Sequence, residues 1–283
     1  MDGKKNIMII GAAGSLGSVL CKILIESGGY NIFAVDFNEN NLAYLYRLYD
    51  LFTYIEDLKS TSSLIKIIEN ENIDLVVNCA ALKHVRWCEN NIEHAIETNI
   101  LSNLHLMEYL HRVNKKFIYI SSDKAIDPTN LYALTKQLTD YIVHHYNFKL
   151  IRGVNFFNSK GSVIDIWEQQ YLSNKPFTVS VDSCKRYFML ISTMADIVKR
   201  AIEEDDVFDK EYCPDKIFGI DIQNLFEAFL LYRGLNKDDC DIKWFSIPAN
   251  EKLCEALDFN PEIIELDDIT ELAELIKSNR RII

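Results

Sequence analysis

Tyr132 and Lys136 lie four residues apart in a stretch with a helical pattern, so their side chains share one face of the predicted helix. A phenol titrates near pH ~10 and is a poor base at neutral pH. A neighbouring ammonium lowers that pKa because it favours the phenolate. Such a tyrosine can take a proton from a sugar or alcohol hydroxyl while a hydride leaves the same carbon. The pair alone is more typical of an exposed helix face, so the neighbouring residues must show whether it is catalytic.

Three further polar residues, Ser122, Asp123 and Lys124, precede this helix. They follow the apolar run 117–120, which predicts a buried parallel strand. A turn at 127–130 then leads into the helix of the Tyr/Lys pair. A hydroxyl, a carboxylate, an ammonium and the pair therefore gather at the carboxyl end of one strand, where open α/β sheets bind ligands.

A glycine-rich turn follows the first predicted strand, residues 6–10. Its residues include Gly11, Ala13, Gly14, Ser15, Leu16 and Gly17. A helical pattern comes next, so the order is strand, glycine turn, helix. Glycines let the backbone approach a pyrophosphate, and a helix N-terminus offers free N–H groups and the positive end of its dipole. The turn therefore predicts dinucleotide binding in preference to a purely structural turn.

The second predicted strand, residues 31–36, ends in Asp36. A carboxylate there, about 20 residues beyond the glycines, can accept hydrogen bonds from the adenosine ribose. The alternative is a helix N-cap. No Arg follows Asp36 directly, which favours NAD over NADP, although Arg47 could reach a 2′-phosphate. Asp57, followed by Leu58, is placed either to meet the adenine amino group or to form a surface turn.

The fourth predicted strand, residues 73–78, is followed by Ala80 and Ala81, whose small side chains permit close contact with a dinucleotide. Lys83 and His84 come next, at the same edge of the predicted sheet. We interpret Lys83 as functional, whereas the alternative for His84 is an exposed loop residue.

The alternation of strands and helices through residue 155 predicts an α/β protein with a Rossmann-like, doubly wound parallel sheet. The other predicted elements are helices 60–71, 91–113, 130–146, 163–172, 193–204, 221–233 and 250–257 and strands 52–55, 149–155, 177–181 and 187–191. The pattern loosens after residue 156. We therefore predict a NAD(P)-binding domain at 1–156 and a smaller mixed α/β substrate lobe at 157–283, with a helix and a strand exchanged between them.

The composition narrows the class of protein. The chain has 283 residues, 48% of them hydrophobic, and a formal net charge of −12. This acidic balance argues against a general nucleic-acid binder, which needs a basic face. The seven Cys form no Cys-x-x-Cys pair, which indicates reduced thiols, and we expect no metal. The sequence opens without a signal peptide and has no apolar run of the ~18 residues that span a membrane, so we expect a cytoplasmic protein with no membrane partner.

Seven stretches, in order, carry a family resemblance. They are Gly11–Gly17, Ala80–Val85, Glu97–Ile100, Ser121–Ala125, Pro128–Tyr132, Ser159–Val163 and Arg186–Met189. With them the chain resembles the extended short-chain dehydrogenase/reductase superfamily, and within it the inverting UDP-N-acetylglucosamine 4,6-dehydratases of polysaccharide biosynthesis. The Asp123-Lys124 pair is the most specific element, because the retaining hexose dehydratases have Asp-Glu there.

The resemblance implies a mechanism. Tyr132, with Lys136 beside it, deprotonates the carbon-4 hydroxyl while hydride passes to the nicotinamide, and Ser122 hydrogen-bonds the carbon-4 oxygen. Lys124 then removes the carbon-5 proton, and Asp123 protonates the departing carbon-6 hydroxyl. Hydride returns to carbon 6 and a proton to the opposite face of carbon 5, so the cofactor stays bound. The implied product is UDP-2-acetamido-2,6-dideoxy-β-L-arabino-hex-4-ulose.

The same resemblance implies further binding residues and a homo-oligomer. Cofactor contacts include Asn99, Tyr132 and Lys136, and substrate contacts are Lys83, His84, Asn155, Ser162, Val163 and Arg186. Arg186, beside aromatic residues, suits a phosphate and a base, and its alternative is an exposed Arg on an ordinary strand. The family's Arg-Pro-Gly-Glu-Lys, whose Arg meets the diphosphate, is reduced here to the altered stretch 247–252.

Two other functions stay open at this point. A nucleotide-sugar 4-epimerase or oxidoreductase would use Tyr132 and Lys136 and have no need of the Asp123-Lys124 pair. A non-catalytic NAD(P)-binding regulator would fit the altered stretch 247–252, but the intact set of site residues argues against it. We favour the dehydratase, with a UDP-sugar as substrate.

Overall fold

A seven-stranded parallel sheet organises the first part of the structure, a computed structural model that describes residues 3–204 and 209–279. The strands are β1 Lys5–Ile10, β2 Tyr30–Asp36, β3 Phe52–Ile55, β4 Leu75–Asn78, β5 Lys116–Ser122, β6 Lys149–Gly153, β7 Asn155–Phe156, β8 Phe177–Ser180, β9 Lys185–Met189, β10 Glu211–Tyr212, β11 Lys216–Asp221, β12 Ile242–Phe245 and β13 Glu262–Glu265. The large sheet has the order β10-β6-β5-β4-β1-β2-β3, and every neighbouring pair is parallel. Its order reverses between β1 and β4, where doubly wound sheets open a crevice for ligands.

Helices cover the large sheet because its strands are apolar along most of their length. The helices of the chain are α1 Ser15–Ser27, α2 Glu39–Leu48, α3 Thr61–Asn70, α4 Val85–Asn90, α5 Ile92–Ile96, α6 Ser102–Arg112, α7 Leu131–His145, α8 Val163–Leu172, α9 Ile191–Glu203, α10 Ile222–Arg233 and α11 Ile269–Ser278. Leu64 of α3, Met107 of α6 and Val143 of α7 belong to one buried core with Val76 and Phe117 of the sheet. This core fixes β4 and β5, whose carboxyl ends carry the predicted chemistry.

The chain divides into two compact units. The first holds residues 1–153 and 192–213, and the second holds 154–191 and 214–283. Residues 192–213, which the sequence placed in the smaller lobe, belong to the first unit because β10 pairs with β6 there.

The second unit has its own aromatic core. It contains a four-stranded sheet of order β13-β11-β9-β7 and a two-stranded sheet of β12 and β8. Trp167 of α8 packs against Phe226 of α10, with ring centroids 5.0 Å apart, and Phe177 and Phe229 join them. The Trp167 indole N–H donates to the Thr178 carbonyl oxygen at 2.9 Å, so its buried polar group is satisfied.

Two predicted elements are divided in the structure. The predicted helix 91–113 contains a π-helical turn, Glu97–Leu101, between α5 and α6. The predicted strand 149–155 ends at Gly153, and Asn155 begins β7, which pairs with β9 in the sheet of the second unit. A continuous apolar pattern does not reveal the point at which a strand changes its sheet.

The predicted helix 250–257 is wrong. The carbonyl oxygen of Leu253 accepts the backbone N–H of Lys185 at 3.1 Å and the guanidinium of Arg186 at 3.0 Å, so it serves β9 instead of a helical amide. The elements β11, β12, β13 and α11 have no counterpart in the prediction.

The described residues contain neither a membrane-spanning helix nor a disulfide. Within 3–204 and 209–279, no helix combines the length and the apolar character needed to cross a bilayer. All seven cysteines lie in these ranges, and each is a free thiol.

Lys149 connects α9 to the large sheet. Its buried ammonium donates to the carbonyl oxygen of Ala201 at 2.6 Å and to that of Glu204. These are carbonyls at the end of α9, which have no helical partner of their own.

We expect Lys149→Met to lower the free energy of unfolding by about 2 kcal/mol, because two buried carbonyls lose a charged donor. Urea unfolding followed by circular dichroism measures this change. Lys115→Met is the matched control, since the structure shows no ion pair for Lys115 among the described residues, and it should cost less than about 0.5 kcal/mol. Equal losses in the two variants would contradict this role for Lys149.

Candidate active site

The glycine turn between β1 and α1 packs directly against the end of β4. A Cβ added to Gly11, whose φ is +75°, would lie 2.8 Å from the backbone N of Ala80. A Cβ added to Gly17 would meet the Gly11 carbonyl and lie 2.7 Å from Cα of Ala12. Gly14, the N-cap of α1, places no side chain over the first helical amides. The turn is therefore a cradle of bare backbone at the positive end of a helix, which fits the diphosphate of a dinucleotide.

Asp36, at the end of β2, braces this turn. Its Oδ2 accepts the backbone N–H of Ala13 at 3.0 Å, and its Oδ1 accepts that of Asn38 at 2.9 Å. The N-cap alternative for Asp36 is wrong, because Asn38 caps α2 by accepting the N–H of Asn41. A carboxylate offers about four lone-pair sites. Asp36 therefore keeps acceptor capacity for a ribose hydroxyl.

The other residues predicted along this edge are placed as follows. Ser15 and Leu16 form the first turn of α1. Asp57 accepts the backbone N–H of Lys59 at 2.9 Å, so it forms the turn that the sequence offered as its alternative role. Leu58 is buried, and its side chain belongs to the core.

Asn99 clamps the segment that follows β4. Its Oδ1 accepts the N–H of Leu82 and its Nδ2 donates to the Leu82 carbonyl, each at 2.9 Å. Nδ2 also donates to Oγ1 of Thr135 on α7 at 3.0 Å. Both amide hydrogens are used inside the protein, and the cofactor contact of Asn99 stays a prediction. The clamp fixes the distance between Leu82 and α7.

The small residues after β4 keep their predicted place. The backbone N–H of Ala80 donates to Oδ1 of Asn78 at 2.9 Å, and Ala81 follows it, half-buried. Lys83 and His84 are exposed just before α4, which matches the exposed-loop alternative for His84.

The end of β5 turns at once into a 3₁₀ turn, Asp123–Ala125. The Asp123 side chain is fully buried, and its Oδ1 accepts the Ser122 hydroxyl at 2.8 Å. The Lys124 ammonium lies 3.2 Å from the same oxygen. Oδ2 of Asp123 is buried and has no hydrogen-bond partner among the described residues. Such an oxygen is costly to bury, so it is suited to hold a proton or to bind a donor on a ligand.

α7 brings the Tyr/Lys pair into the same unit. Tyr132 and Lys136 are buried, at 7% and 5% exposure. The Lys136 ammonium donates to Oη of Tyr119 at 3.0 Å and to the carbonyl oxygen of Ile120 at 2.7 Å. Both acceptors lie on β5, so the ammonium is bonded to the strand and not to Tyr132.

The protonation of the pair differs from the prediction. Burial raises the pKa of Tyr132 above its usual value, the Ser122 hydroxyl opposes this, and the Asp123 carboxylate adds to it. Burial lowers the pKa of Lys136 to about 8, with Asp140 acting in the opposite direction. The predicted lowering of the Tyr132 pKa is therefore wrong for this structure, because burial dominates and the ammonium points to Tyr119.

Sequence reasoning missed a buried ion pair behind these residues. Oδ2 of Asp140 lies 2.9 Å from a guanidinium nitrogen of Arg152. Arg152 also donates to the Ser122 carbonyl oxygen at 3.3 Å and to the Glu211 carboxylate. The available sequence signal was the spacing, since Asp140 continues the four-residue repeat of the Tyr/Lys pair on one helix face.

The other predicted substrate contacts belong to the second unit. Asn155 donates to the carbonyl oxygen of Tyr187 at 2.8 Å. Ser162 is the N-cap of α8, and Val163 is the first residue of that helix. Arg186 donates to the carbonyl oxygens of Leu253 and Lys185, which the sequence did not predict.

A profile of the family described as "Polysaccharide biosynthesis protein" matches residues 7–275, nearly the whole chain. The chain belongs to this polysaccharide biosynthesis protein family. CapD of Staphylococcus aureus, a capsular polysaccharide biosynthesis protein, is 28% identical over 89% of this chain and 45% of its own length. A UDP-N-acetylglucosamine 4,6-dehydratase (inverting) of Campylobacter jejuni is 29% identical over 60% of this chain and 54% of its own length. The chain thus spans about half the length of these relatives.

The fold of this polysaccharide biosynthesis protein matches a solved structure over nearly its full length. DesIV of Streptomyces venezuelae, a dTDP-glucose 4,6-dehydratase whose structure contains NAD, superposes with a TM-score of 0.82 over 97% of this chain and 98% of that one. The identity is 15%, so this likeness concerns the fold alone. The predicted α/β class with a Rossmann-like parallel sheet is confirmed.

We expect Gly17→Ala to weaken NAD binding about tenfold or more, because its Cβ collides with the Gly11 carbonyl and displaces the turn. Isothermal titration calorimetry with NAD measures the loss. Ser18→Ala is the control in the same helix, since it removes only a hydroxyl that donates to the Ser15 carbonyl at 3.4 Å. An unchanged affinity in folded Gly17→Ala protein would show that this turn does not hold the dinucleotide.

Proposed function

We propose that this chain is a nucleotide-sugar 4,6-dehydratase that acts on UDP-N-acetylglucosamine and inverts carbon 5. The supporting observation is the Asp123-Lys124 pair, a buried carboxylate with one unpaired oxygen among the described residues and an ammonium 3.2 Å from the other. Oxidation or epimerisation at carbon 4 needs one base and a hydride acceptor. Loss of water from carbons 5 and 6 also needs an acid and a second base, and this pair supplies both.

The two members of the pair differ in burial in a way that suits their proposed roles. Asp123 is the acid that protonates the departing carbon-6 hydroxyl, and its Oδ2 is the oxygen left to carry that proton. Lys124 is the base at carbon 5. Its side chain is 20% exposed whereas that of Asp123 is 0% exposed, so the lysine is the more accessible member of the pair.

The Tyr/Lys pair acts at carbon 4. Tyr132 takes the carbon-4 hydroxyl proton, with the Ser122 hydroxyl beside it. Because burial holds the Tyr132 phenol in its protonated form, this step needs a cation nearby. Lys136, one helical turn further on the same face, is the cation of α7 that supplies this charge.

NAD is the proposed cofactor, held by the glycine turn and by Asp36. When bound, it would supply a hydride acceptor for the oxidation of carbon 4 and a hydride donor for the reduction of carbon 6. The Asp36 carboxylate at the end of β2 favours a ribose with free hydroxyls and disfavours a 2′-phosphate by charge repulsion, which supports NAD over NADP.

The substrate class is proposed from the relatives and from this chain's own cations. The matching dehydratase of Campylobacter jejuni is named for UDP-N-acetylglucosamine. We propose Lys83, His84 and Arg186 as donors to the nucleotide, with Asn155 and the start of α8 at the sugar. Ile247 replaces the family's diphosphate-binding Arg, and its backbone N–H donates to Asp182 at 2.7 Å.

Incubation with UDP-N-acetylglucosamine in heavy water tests the proposal. We expect a product that has lost one water and carries deuterium at an inverted carbon 5, as measured by mass spectrometry and NMR. A product that retains the carbon-6 hydroxyl would instead indicate an epimerase or oxidoreductase. No turnover by protein with bound NAD would refute this substrate and favour another sugar nucleotide or a binding protein.

We expect Lys124→Ala to reduce water loss at least about a hundredfold, because general bases contribute about that much, while NAD stays bound. The rate of product formation and the bound NAD are measured on the same sample. Lys66→Ala, at an exposed lysine of α3, is the control and should keep the parent rate. Full turnover by Lys124→Ala would remove Lys124 from its role as the base.

A further inference from the structure

The Lys136 ammonium is held by β5. Its Nζ lies 3.0 Å from Oη of Tyr119 and 2.7 Å from the carbonyl oxygen of Ile120. It also lies 4.5 Å from the centroid of the Tyr119 ring. Burying an ammonium costs several kcal/mol unless acceptors and a counter-charge offset the loss of water. The two oxygens of β5 supply the acceptors but no negative charge.

Asp140 supplies the counter-charge. It lies one helical turn after Lys136 on the same face of α7 and is 7% exposed. Its Oδ2 is held by Arg152 at 2.9 Å. Its Oδ1 is buried and has no hydrogen-bond partner in the described part of the chain. The Asp140 carboxylate is buried one helical turn from the buried Lys136 ammonium, so it acts on that ammonium through its charge.

Arg152 holds the Asp140 carboxylate, but Asp140 is not its only ion-pair partner among the described residues. The guanidinium has a second carboxylate partner, Glu211 of β10, and it also donates to the Ser122 carbonyl oxygen. Removal of the Asp140 charge therefore leaves Arg152 with an ion-pair partner. Asp140 can therefore be mutated without leaving the buried Arg152 guanidinium unpaired.

We propose that Tyr119 and Asp140 are positioning residues of the candidate active site, which hold the Lys136 side chain in place and keep its ammonium charged. They act through Lys136, at the proton-transfer step on Tyr132. The use made of Lys136 rests on the proposed function, whereas its placement and charge can be measured without any turnover.

The titratable groups that face Lys136 come from several elements. Tyr132 and Asp140 lie on α7, Tyr119 on β5, and Cys79 directly after β4. Burial lowers the pKa of Lys136 to about 8, and Asp140 followed by Cys79 opposes this. Burial raises the pKa of Cys79 to about 12, so its thiol is neutral at pH 8. Burial raises the pKa of Asp140, and Arg152 and the Ser121 hydroxyl oppose this rise, so these two groups favour the carboxylate that faces Lys136.

The test is an NMR titration of protein labelled with ¹³Cε-lysine, in which the Lys136 signal is assigned by its loss in Lys136→Arg. We expect the parent to titrate near pH 8. Asp140→Asn should lower the Lys136 pKa by about one unit, because an opposite charge nearby favours the ammonium. Tyr119→Phe, which removes only a hydroxyl, should lower it by less, since one acceptor of the charged form is lost.

Two further variants separate charge from packing. Asp140→Glu keeps the carboxylate and should restore the parent titration to within about 0.3 units. Glu211→Gln removes the other partner of Arg152 and should leave the Lys136 titration unchanged. If Glu211→Gln lowered the Lys136 pKa as much as Asp140→Asn does, the ion-pair network would act through packing. That result would overturn the proposal. Parent-like titration in folded Asp140→Asn or Tyr119→Phe would also overturn it for that residue.

The pH dependence of turnover gives a second readout. Loss of the ammonium removes activity as the pH rises through the Lys136 pKa. A fall of about one unit reduces the charged fraction at pH 8 from about one half to about one tenth. We therefore expect kcat of Asp140→Asn to fall about fivefold at pH 8 and little at pH 6.5, with KM unchanged. If the titration shifts but UDP-N-acetylglucosamine is not turned over, the proposed function fails and this inference stands.

Discussion

Buried charge at the carboxyl end of β5 constrains the rest of the first unit. Asp123, Lys136 and Asp140 are all removed from water, and each needs partners inside the protein because the loss of hydration is costly. Asp123 is held by its neighbours Ser122 and Lys124. Lys136 and Asp140 use distant parts of the chain: two oxygens of β5 for Lys136, and Arg152 of β6, which also pairs with Glu211 of β10, for Asp140. The buried charges of Lys136 and Asp140 on α7 therefore depend on the packing of this helix beside β5 and β6.

The sequence contains the local parts of this arrangement. The apolar runs before residue 11 and at 117–120 predict β1 and β5, and the order of strand, glycine turn and helix predicts the cradle at Gly11 and Gly17. These predictions succeed because a buried parallel strand is marked by continuous apolar residues. A glycine is required where a Cβ would collide with the neighbouring backbone. The spacing of the glycines therefore predicts where the turn approaches other backbone segments.

Hydrogen bonds between residues that are distant in sequence could not be predicted from such local patterns. Lys136 has Tyr132 as its obvious partner by spacing, yet it bonds to Tyr119, which lies 17 residues earlier and is brought close by the packing of α7 on β5. Asn99, in the π-helical turn, pairs its side-chain amide with the backbone of Leu82, 17 residues earlier, and no local pattern indicates this partner. For each side chain the sequence allowed several hydrogen-bond partners, and the tertiary packing determined which of them it bonds.

The division of the first unit in sequence limits how the protein can be dissected. A fragment ending at Gly153 would contain every predicted cofactor residue, yet it would lack β10. β6 would then be an exposed edge strand with unpaired backbone groups, the kind of edge that promotes aggregation. Segment 154–191 is thus an insertion within the first unit and not the start of a detachable C-terminal domain. Chimeras that exchange the second unit between relatives need three junctions, placed after residues 153, 191 and 213.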